Sequence, residues 1–270
     1  MARPFDQTAI QIKRLGPPPG RARRELLFIH GAWHGPWYWE PLAAPLAADG
    51  FACNLLALPG HGDEPWDLPG FTRLSDYALY SARAAAGLPG VVLIGHSLGG
   101  WIVQKILEAA DLPAVLLCPL PARGMTFIRL LALVLRTPLG VLAPLWGRPM
   151  TIGNPALARR LFYRQLPLEQ VRPLWEPLVA EPAVAALQMG LGLCPTRTRP
   201  GRAPRLLVAG QKDFLVPPAV LSRLARRLGA RFELLAGMPH NPWLEDPGGR
   251  VLALVREFLG YLEAGRSASP

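Results

Sequence analysis

The stretch Val91-Val-Leu-Ile-Gly-His-Ser-Leu-Gly-Gly100 decides the fold of this 270-residue chain. A short apolar run containing β-branched residues leads into Gly-x-Ser-x-Gly, and a helical pattern follows over residues 101–110. The order strand, sharp turn, helix places Ser97 at the apex of the turn. Gly95 and Gly99 flank the serine because a turn this tight leaves no room for Cβ atoms there. The stretch therefore predicts an exposed serine hydroxyl at the N-terminus of a helix, where an anion would be stabilised.

The composition indicates one large domain, or one domain with an insertion. Hydrophobic residues make up 50% of the chain, which is enough to bury a sizeable core. The formal net charge of +10 comes mostly from arginines that are spread along the sequence. The one dense basic cluster, at 21–24, has no nucleic-acid-binding motif beside it. We interpret the charge as a solvated surface and expect no nucleic-acid partner.

The three cysteines, Cys53, Cys118 and Cys194, are too few and too irregularly spaced to predict disulfides or a metal site. Residues 1–10 contain no apolar signal segment, so a cytoplasmic location is expected. The apolar segment 127–146 contains arginines and prolines, which favours a pair of helices over a membrane span. We therefore predict no stable membrane insertion. No pattern specifies an oligomeric state.

Strands and helices alternate along most of the chain. This alternation predicts an α/β fold, in which a mostly parallel sheet is covered by helices on both faces. Between residues 120 and 200 the sequence is rich in Leu, Arg and Pro and shows no convincing strand. We predict a core formed by 1–119 and 201–270, with a helical insertion over 120–200. Strands are expected at 8–15, 25–29, 51–58, 91–94, 114–118, 205–209 and 231–235, and helices at 36–48, 72–86, 101–110, 217–228 and 249–262.

A serine hydroxyl needs a base to take its proton, and histidine is the residue type suited to this at neutral pH. His96 adjoins the serine in the chain and points away from the tight turn. His30 and His61 lie in Gly-containing turns, where a structural hydrogen bond is the expected role. His240 lies in a loop after the last predicted strand, which is where a base would meet the serine. We therefore predict His240 as the base among the five histidines, His30, His34, His61, His96 and His240.

The base in turn needs a carboxylate to orient it. Asp213 follows a predicted strand, although an aspartate there could instead cap the helix that starts near Pro217. Asp111 lies at the end of the helix that carries the serine, far from the strand ends. Glu245 and Asp246 follow the predicted base too closely to reach it from across the site. Asp213 is therefore the predicted orienting carboxylate.

The oxyanion formed by attack on a carbonyl group needs two preorganised donors. The backbone N–H of Leu98, the residue after the serine, is the first predicted donor. The second is expected from the loop after the strand 25–29, where the N–H of Ala32 fits, and the N–H of Trp33 is an alternative.

The chain resembles the α/β-hydrolase fold superfamily. The resemblance lies in three motifs, His30-Gly-Ala-Trp-His-Gly-Pro-Trp-Tyr-Trp39, Leu58-Pro-Gly-His-Gly62 and Gly95-His-Ser-Leu-Gly-Gly100, and in the order serine, Asp213, His240. It covers the whole chain except the insertion. It implies the catalytic triad Ser97–Asp213–His240 and a cap formed by the insertion.

The first of these motifs also resembles a group of small esterases and hydroxynitrile lyases. Members of that group that cleave cyanohydrins typically have threonine and lysine at the positions of Gly31 and Asn241, so the resemblance implies an esterase. Haloalkane dehalogenases and epoxide hydrolases have aspartate at the position of Ser97, which argues against both.

The resulting prediction is a serine hydrolase that cleaves small to medium hydrophobic carboxylic esters through an acyl-enzyme. The partner is a small-molecule ester, and no metal or organic cofactor is expected. A thioesterase, a lactonase, an enzyme that acts on peracids, a C–C bond hydrolase or a ligand-binding protein with low turnover remain alternatives. Four aromatic residues are predicted to line the pocket, although each could instead form part of a core: Trp33, Phe127, Trp146 and Trp175.

Overall fold

Seven strands form one sheet among the residues that the computed structural model describes, which are 9–18, 20–62, 71–121, 143–193, 195–197, 199–246 and 248–267. The order across the sheet is β1-β3-β2-β4-β5-β6-β7. β1 pairs antiparallel with β3, and every other neighbouring pair is parallel. The strands are β1 (Ile12–Leu15), β2 (Glu25–Ile29), β3 (Ala52–Leu56), β4 (Val92–His96), β5 (Ala114–Leu117), β6 (Arg205–Gly210) and β7 (Arg231–Leu235).

Helices connect the parallel strands, as a parallel sheet requires. Short 3₁₀ helices lie at Pro36–Trp39, Ala143–Trp146 and Pro242–Leu244. The α-helices are α1 (Glu40–Ala48), α2 (Leu74–Ala86), α3 (Leu98–Ile106), α4 (Pro155–Leu161), α5 (Leu168–Trp175), α6 (Ala183–Leu191), α7 (Pro218–Leu228) and α8 (Arg250–Ser267).

The predicted α/β fold is confirmed, and the differences concern the ends of elements. α3 begins at Leu98 rather than at residue 101, because the helix starts directly after the turn residue Ser97. α8 extends to Ser267, five residues beyond the predicted end of this helix at residue 262. A bidentate ion pair between Arg23 and Glu263 ties this last part of the helix to the core. Residues 127–142, which form most of the predicted pair of helices over 127–146, lie outside the described part of the chain.

Two apolar layers cover the sheet because the strand residues alternate between its faces. Leu93 packs in the layer that includes α2, α3 and α7, whereas Val92 and Ile94 pack in the layer that includes α1 and α8. All three side chains are fully buried. Strands covered on both faces read as continuous apolar runs, which explains why their sequences show little polar alternation.

The chain between β5 and β6 is helical in the described residues, and we refer to 143–197 as the insert. It contains α4, α5 and α6. Within its described residues, the β-structure is one isolated antiparallel bridge between Met150 and Glu181. Among the described residues, no helix combines the length and the apolar character needed to cross a membrane.

Candidate active site

Ser97 occupies the turn between β4 and α3 in a strained backbone conformation, with φ +50° and ψ −114°. Such a conformation costs a non-glycine residue ~1–3 kcal/mol and persists where the surroundings hold it. Here the Ser97 N–H donates to the Leu117 carbonyl at 3.2 Å, and the Leu120 N–H donates to the Ser97 carbonyl at 2.8 Å. The strand, the strained serine and the helix have the geometry of a nucleophile elbow, and we refer to this turn as the elbow.

The glycines on either side of the serine are required by close backbone contacts. A Cβ atom on Gly95 would lie 2.5 Å from the carbonyl oxygen of Gly99. A Cβ atom on Gly99 would overlap the carbonyl oxygen of Ile29 at the end of β2. The prediction that neither position tolerates a Cβ atom is confirmed, and it explains how α3 packs so closely against the sheet.

Asp213 follows β6, and its two carboxylate oxygens have separate partners. Oδ1 accepts the N–H groups of Leu215 and Val216 at 2.8 and 3.0 Å. Oδ2 accepts the Nδ1–H of His240 at 2.8 Å. Asp213 therefore acts both as a local acceptor in its own loop and as the partner of the histidine. The alternative interpretation as a helix cap is wrong, because α7 begins at Pro218 and no described side chain caps it.

His240 is buried, and its second ring nitrogen is free within the described residues. Because Nδ1 carries the proton donated to Asp213, Nε2 presents a lone pair, which is the arrangement of a general base. Nε2 forms no hydrogen bond to Ser97 Oγ, and contacts of this kind often tighten only when substrate binds. Ser97, Asp213 and His240 all follow the carboxyl ends of strands at one edge of the sheet.

His30 and His96 are buried rings whose hydrogen bonds assign a neutral state. His30 donates through Nδ1 to the carbonyl of the next residue at 2.8 Å, and its Nε2 accepts the Leu58 N–H at 3.2 Å. His96 donates through Nε2 to the carbonyl of His240 at 3.1 Å, and its Nδ1 accepts the Tyr38 hydroxyl at 3.3 Å. Burial lowers the pKa of both rings well below the ordinary value. Both rings therefore form structural hydrogen bonds, as predicted for His30.

His34 connects the loop after β2 to the insert. Its Nδ1–H donates to the Ala32 carbonyl at 2.7 Å, and its Nε2 accepts the hydroxyl of Tyr163 at 2.8 Å. Burial lowers the pKa of His34 to about 3, so the ring is neutral at physiological pH. The imidazole is thus a fixed link between Tyr163 in the insert and a backbone carbonyl beside the elbow.

Glu181 is a site residue that the sequence reasoning missed. It is fully buried, and its Oε1 accepts Nε2–H of His61 at 2.9 Å, while the His61 Nδ1–H donates to the Pro59 carbonyl at 2.9 Å. Burial opposes the charge on His61, but Glu181 outweighs it and raises the pKa of the ring. The available signal was a single charged residue within the apolar run 178–187.

The predicted oxyanion donors lie on two neighbouring elements. Leu98 is the first residue of α3, so its N–H has no acceptor within the helix. The Ala32 N–H has no acceptor within the described part of the chain. A Cβ atom on Gly31 would lie 3.2 Å from the serine Cβ, which places this loop against the elbow. The alternative donor, Trp33 N–H, is bound to Glu181 Oε1 at 2.8 Å.

The predicted pocket residues are placed differently from one another. The indole N–H groups of Trp33 and Trp175 donate to carbonyls of the insert, those of Met150 at 3.0 Å and Ile152 at 2.6 Å. A lining role for these two tryptophans stays a prediction. Trp146 is 72% exposed, so its side chain lies at the surface, and a lining role for it stays a prediction as well. Phe127 lies outside the described residues.

Cys118 lies beside the pair of Asp213 and His240, with potential ligand atoms of all three within 4.8 Å of one another. Burial, and then the nearby charge of Asp213, raise the pKa of the Cys118 thiol well above its ordinary value. A metal ligand must be the thiolate, so a protonated thiol is a poor one. The arrangement favours a thiol packed against the carboxylate.

Gly31 occupies the position at which cyanohydrin-cleaving members of the similar group have threonine, and the surrounding structure leaves little room for a side chain there. A Cβ atom there would lie 2.8 Å from His96 Nδ1, a buried ring that cannot move aside. We expect Gly31→Thr to lower ester turnover at least ~10-fold and to destabilise the fold by ~1–3 kcal/mol, as overpacking does. Steady-state kinetics and urea unfolding measure both. Gly153→Thr is the matched control, because a Cβ atom on Gly153 meets open space; equal behaviour of the two variants would contradict the steric explanation.

The buried carboxyl group of Glu245 should make the free energy of unfolding depend on pH. It is 5% exposed, its Oε2 accepts the Gln165 N–H at 2.6 Å, and its Oε1 has no partner among the described residues. Burial raises its pKa from 4.5 to about 7. The folded state therefore holds this proton more tightly, so its stabilising contribution is full below pH ~4.5 and is lost as the pH rises through ~7.

The variant Glu245→Gln isolates this contribution. We expect the difference in unfolding free energy, wild type minus variant, to fall by as much as ~3 kcal/mol as the pH rises from about 4 to about 8. Urea unfolding over this pH range measures it, with the exposed Glu169→Gln as control. A difference that stays constant with pH would show that Glu245 does not titrate in this way.

Comparisons with known proteins show the family of the chain. Residues 26–254 match the model of the alpha/beta hydrolase family, and the chain belongs to that family. It is 26% identical to methylesterase 18 of Arabidopsis thaliana over 92% of this chain and 100% of that protein. It is 33% identical to the pimeloyl-[acyl-carrier protein] methyl ester esterase of Xanthomonas campestris pv. campestris, covering 88% of this chain and 95% of that one.

Solved structures give the same fold. An esterase from Thermogutta terrifontis superposes with a TM-score of 0.69, at 22% identity and with 93% of each chain covered. Together with the named relatives, these comparisons support the predicted activity, the hydrolysis of carboxylic esters by an α/β hydrolase.

Proposed function

We propose that the chain is a serine carboxylic ester hydrolase with Ser97 as nucleophile, His240 as base and Asp213 as orienting carboxylate. The observation that carries the proposal is the buried hydrogen bond between His240 Nδ1 and Asp213 Oδ2, 2.8 Å long, which leaves Nε2 free. A histidine held in this tautomer at the edge of the sheet where the elbow lies is ready to accept the serine proton.

In this mechanism His240 Nε2 takes the proton of Ser97 Oγ as the oxygen attacks the ester carbonyl. The N–H groups of Ala32 and Leu98 stabilise the oxyanion, and the positive end of α3 adds to the field. The imidazolium then gives its proton to the departing alcohol. Water, deprotonated by the same nitrogen, hydrolyses the acyl-enzyme and releases the acid.

The proposed substrates are small to medium hydrophobic esters with a small alcohol group, methyl esters included. The two relatives compared above are named as a methylesterase and as a methyl ester esterase. We also propose that the insert caps the site. Two of its residues, Tyr163 and Glu181, bind the loop after β2, which supports this proposal. A cytoplasmic location is proposed as well, supported by the buried free thiols of Cys53 and Cys118.

A panel of esters tests the proposed function. It combines p-nitrophenyl esters of increasing acyl length with methyl esters of the same acids, assayed by release of nitrophenol and of acid. We expect turnover that is highest for short and medium acyl chains and that extends to the methyl series. No turnover on the panel, combined with no covalent labelling of Ser97 by a fluorophosphonate, would refute the assignment.

A further inference from the structure

Trp33, the residue after the predicted donor Ala32, is held almost entirely by the insert. Its φ is +64°, a left-handed conformation that a bulky side chain rarely adopts. Its N–H donates to Glu181 Oε1 at 2.8 Å, and its carbonyl accepts the Val179 N–H at 2.9 Å. Its indole N–H donates to the Met150 carbonyl. Every one of these partners belongs to the insert, so the insert stabilises a conformation that the loop would not adopt alone.

The peptide group that joins Ala32 to Trp33 is fixed at both polar atoms. The Ala32 carbonyl accepts the His34 Nδ1–H at 2.7 Å, and His34 is itself bound to the hydroxyl of Tyr163. The Trp33 N–H is bound to Glu181. A peptide plane held at both its carbonyl and its N–H cannot rotate. The Ala32 N–H lies in the preceding plane, whose Gly31 carbonyl accepts the His30 Nδ1–H at 2.8 Å and the His34 N–H at 3.4 Å. Because the two planes meet at the Cα atom of Ala32, holding both of them restricts the direction of the Ala32 N–H.

Glu181 is itself locked in place by a second charged group. His61 donates through both ring nitrogens, to the Pro59 carbonyl and to Glu181 Oε1, so the hydrogen bonds assign it as an imidazolium. Both side chains of this ion pair are fully buried. The hydroxyl of Tyr77 lies 3.4 Å from Oε2. A charged acceptor gives shorter and stronger bonds than a neutral one, which suits a carboxylate that must hold a strained loop.

We propose that Glu181 is a positioning residue for ester hydrolysis: the insert supplies a buried carboxylate that aims the Ala32 N–H at the developing oxyanion. The inference rests on the proposed function. It assigns the insert a part in transition-state stabilisation as well as in covering the substrate. Its signature is a loss of kcat at nearly constant KM, because the ground-state ester does not need the aligned donor.

The test compares Glu181→Gln with wild type and with the matched control Glu176→Gln, an exposed glutamate of the same insert. Glutamine keeps the shape of the side chain and removes its charge. Fluorophosphonate labelling of Ser97 counts active sites, so that kcat is expressed per competent site. A trifluoromethyl ketone with a hydrocarbon tail, which binds as an oxyanionic adduct of the serine, reports on the donors directly.

We expect Glu181→Gln to lower kcat per labelled site about 10–100-fold, less than the ~10²–10³-fold loss from removing a donor outright. KM should stay within about twofold, and the affinity for the ketone should fall by the same factor as kcat. Tyr163→Phe, which frees the other end of the same peptide through His34, should show a smaller loss of the same kind. Glu176→Gln should match wild type in all three measurements.

Wild-type kcat per site and ketone affinity in Glu181→Gln would overturn the inference, even if the melting temperature fell, because Glu181 would then be purely structural. Should Glu181→Gln fail to fold, Glu181→Asp decides by the same readouts, since its shorter side chain cannot reach Trp33 and His61 together. The proposed function fails separately: the wild type would then neither turn over esters nor label at Ser97. In that case the role of Glu181 falls with it.

Discussion

Replacing Ser97 with alanine is expected to reduce ester turnover by about 10⁶-fold, the scale seen when the nucleophile of a serine triad is removed. The reason is that, within the described residues, Ser97 supplies the one hydroxyl group in the turn between β4 and α3. Without this hydroxyl group the acyl-enzyme cannot form. The fold should persist, because the Ser97 N–H donates to the Leu117 carbonyl and the Ser97 carbonyl accepts the Leu120 N–H, and neither bond involves the side chain. Initial rates on the ester panel and circular dichroism measure the two effects.

Ser75→Ala is the matched control for this variant, since Ser75 is exposed on α2. It should leave turnover unchanged. Undiminished hydrolysis by Ser97→Ala, in protein free of contaminating esterase, would show that the nucleophile lies elsewhere.

Asp213→Asn is expected to lower kcat about 10⁴-fold with little change in structure. Two backbone N–H groups, from Leu215 and Val216, point at Oδ1, so the asparagine oxygen must stay there and its NH₂ must face His240. His240 Nδ1 would then have to accept, which moves the ring proton to Nε2. A protonated Nε2 cannot take the proton from Ser97.

Asp111→Asn provides the control for this substitution. Asp111 likewise accepts two backbone N–H groups, from Arg202 and Ala203, but it follows the far end of α3 and makes no contact with the histidine. It should retain full turnover. Raising the pH should not restore Asp213→Asn to wild-type rates if the tautomer is at fault, whereas full recovery would point to a simple loss of charge.

The sequence predicts well the parts of the site that depend on local structure and on the sheet. Gly95, Ser97 and Gly99 lie within five residues, and their turn follows from sterics alone. Asp213 and His240 are far apart in the chain, yet each directly follows a strand. Because parallel strands place their carboxyl ends at one edge, the pairing could be anticipated without knowing any distance.

The insert could not be predicted in this way, because its contacts depend on packing and have no motif. Glu181 meets His61 across 120 positions of sequence, and neither residue type nor spacing indicates the pair. Tyr163 likewise reaches His34 only because the residues directly after α4, Phe162 and Tyr163, pack against the loop after β2. Trp146 is an aromatic residue in an apolar segment, yet it ends a short 3₁₀ helix with 72% of its surface exposed, a placement that its sequence did not indicate.

The confinement of all five histidines to buried positions around the elbow has a spectroscopic consequence. Imidazole nitrogen chemical shifts distinguish the two neutral tautomers and the cation, and this chain has no surface histidine to add background signals. A side-chain ¹⁵N spectrum would therefore read the site alone. It should contain Nδ1–H tautomers from His30 and His34, an Nε2–H tautomer from His96 and a doubly protonated ring from His61. Upon acylation of Ser97, the changes in His240 could be followed as the fifth signal, with the other four as internal references.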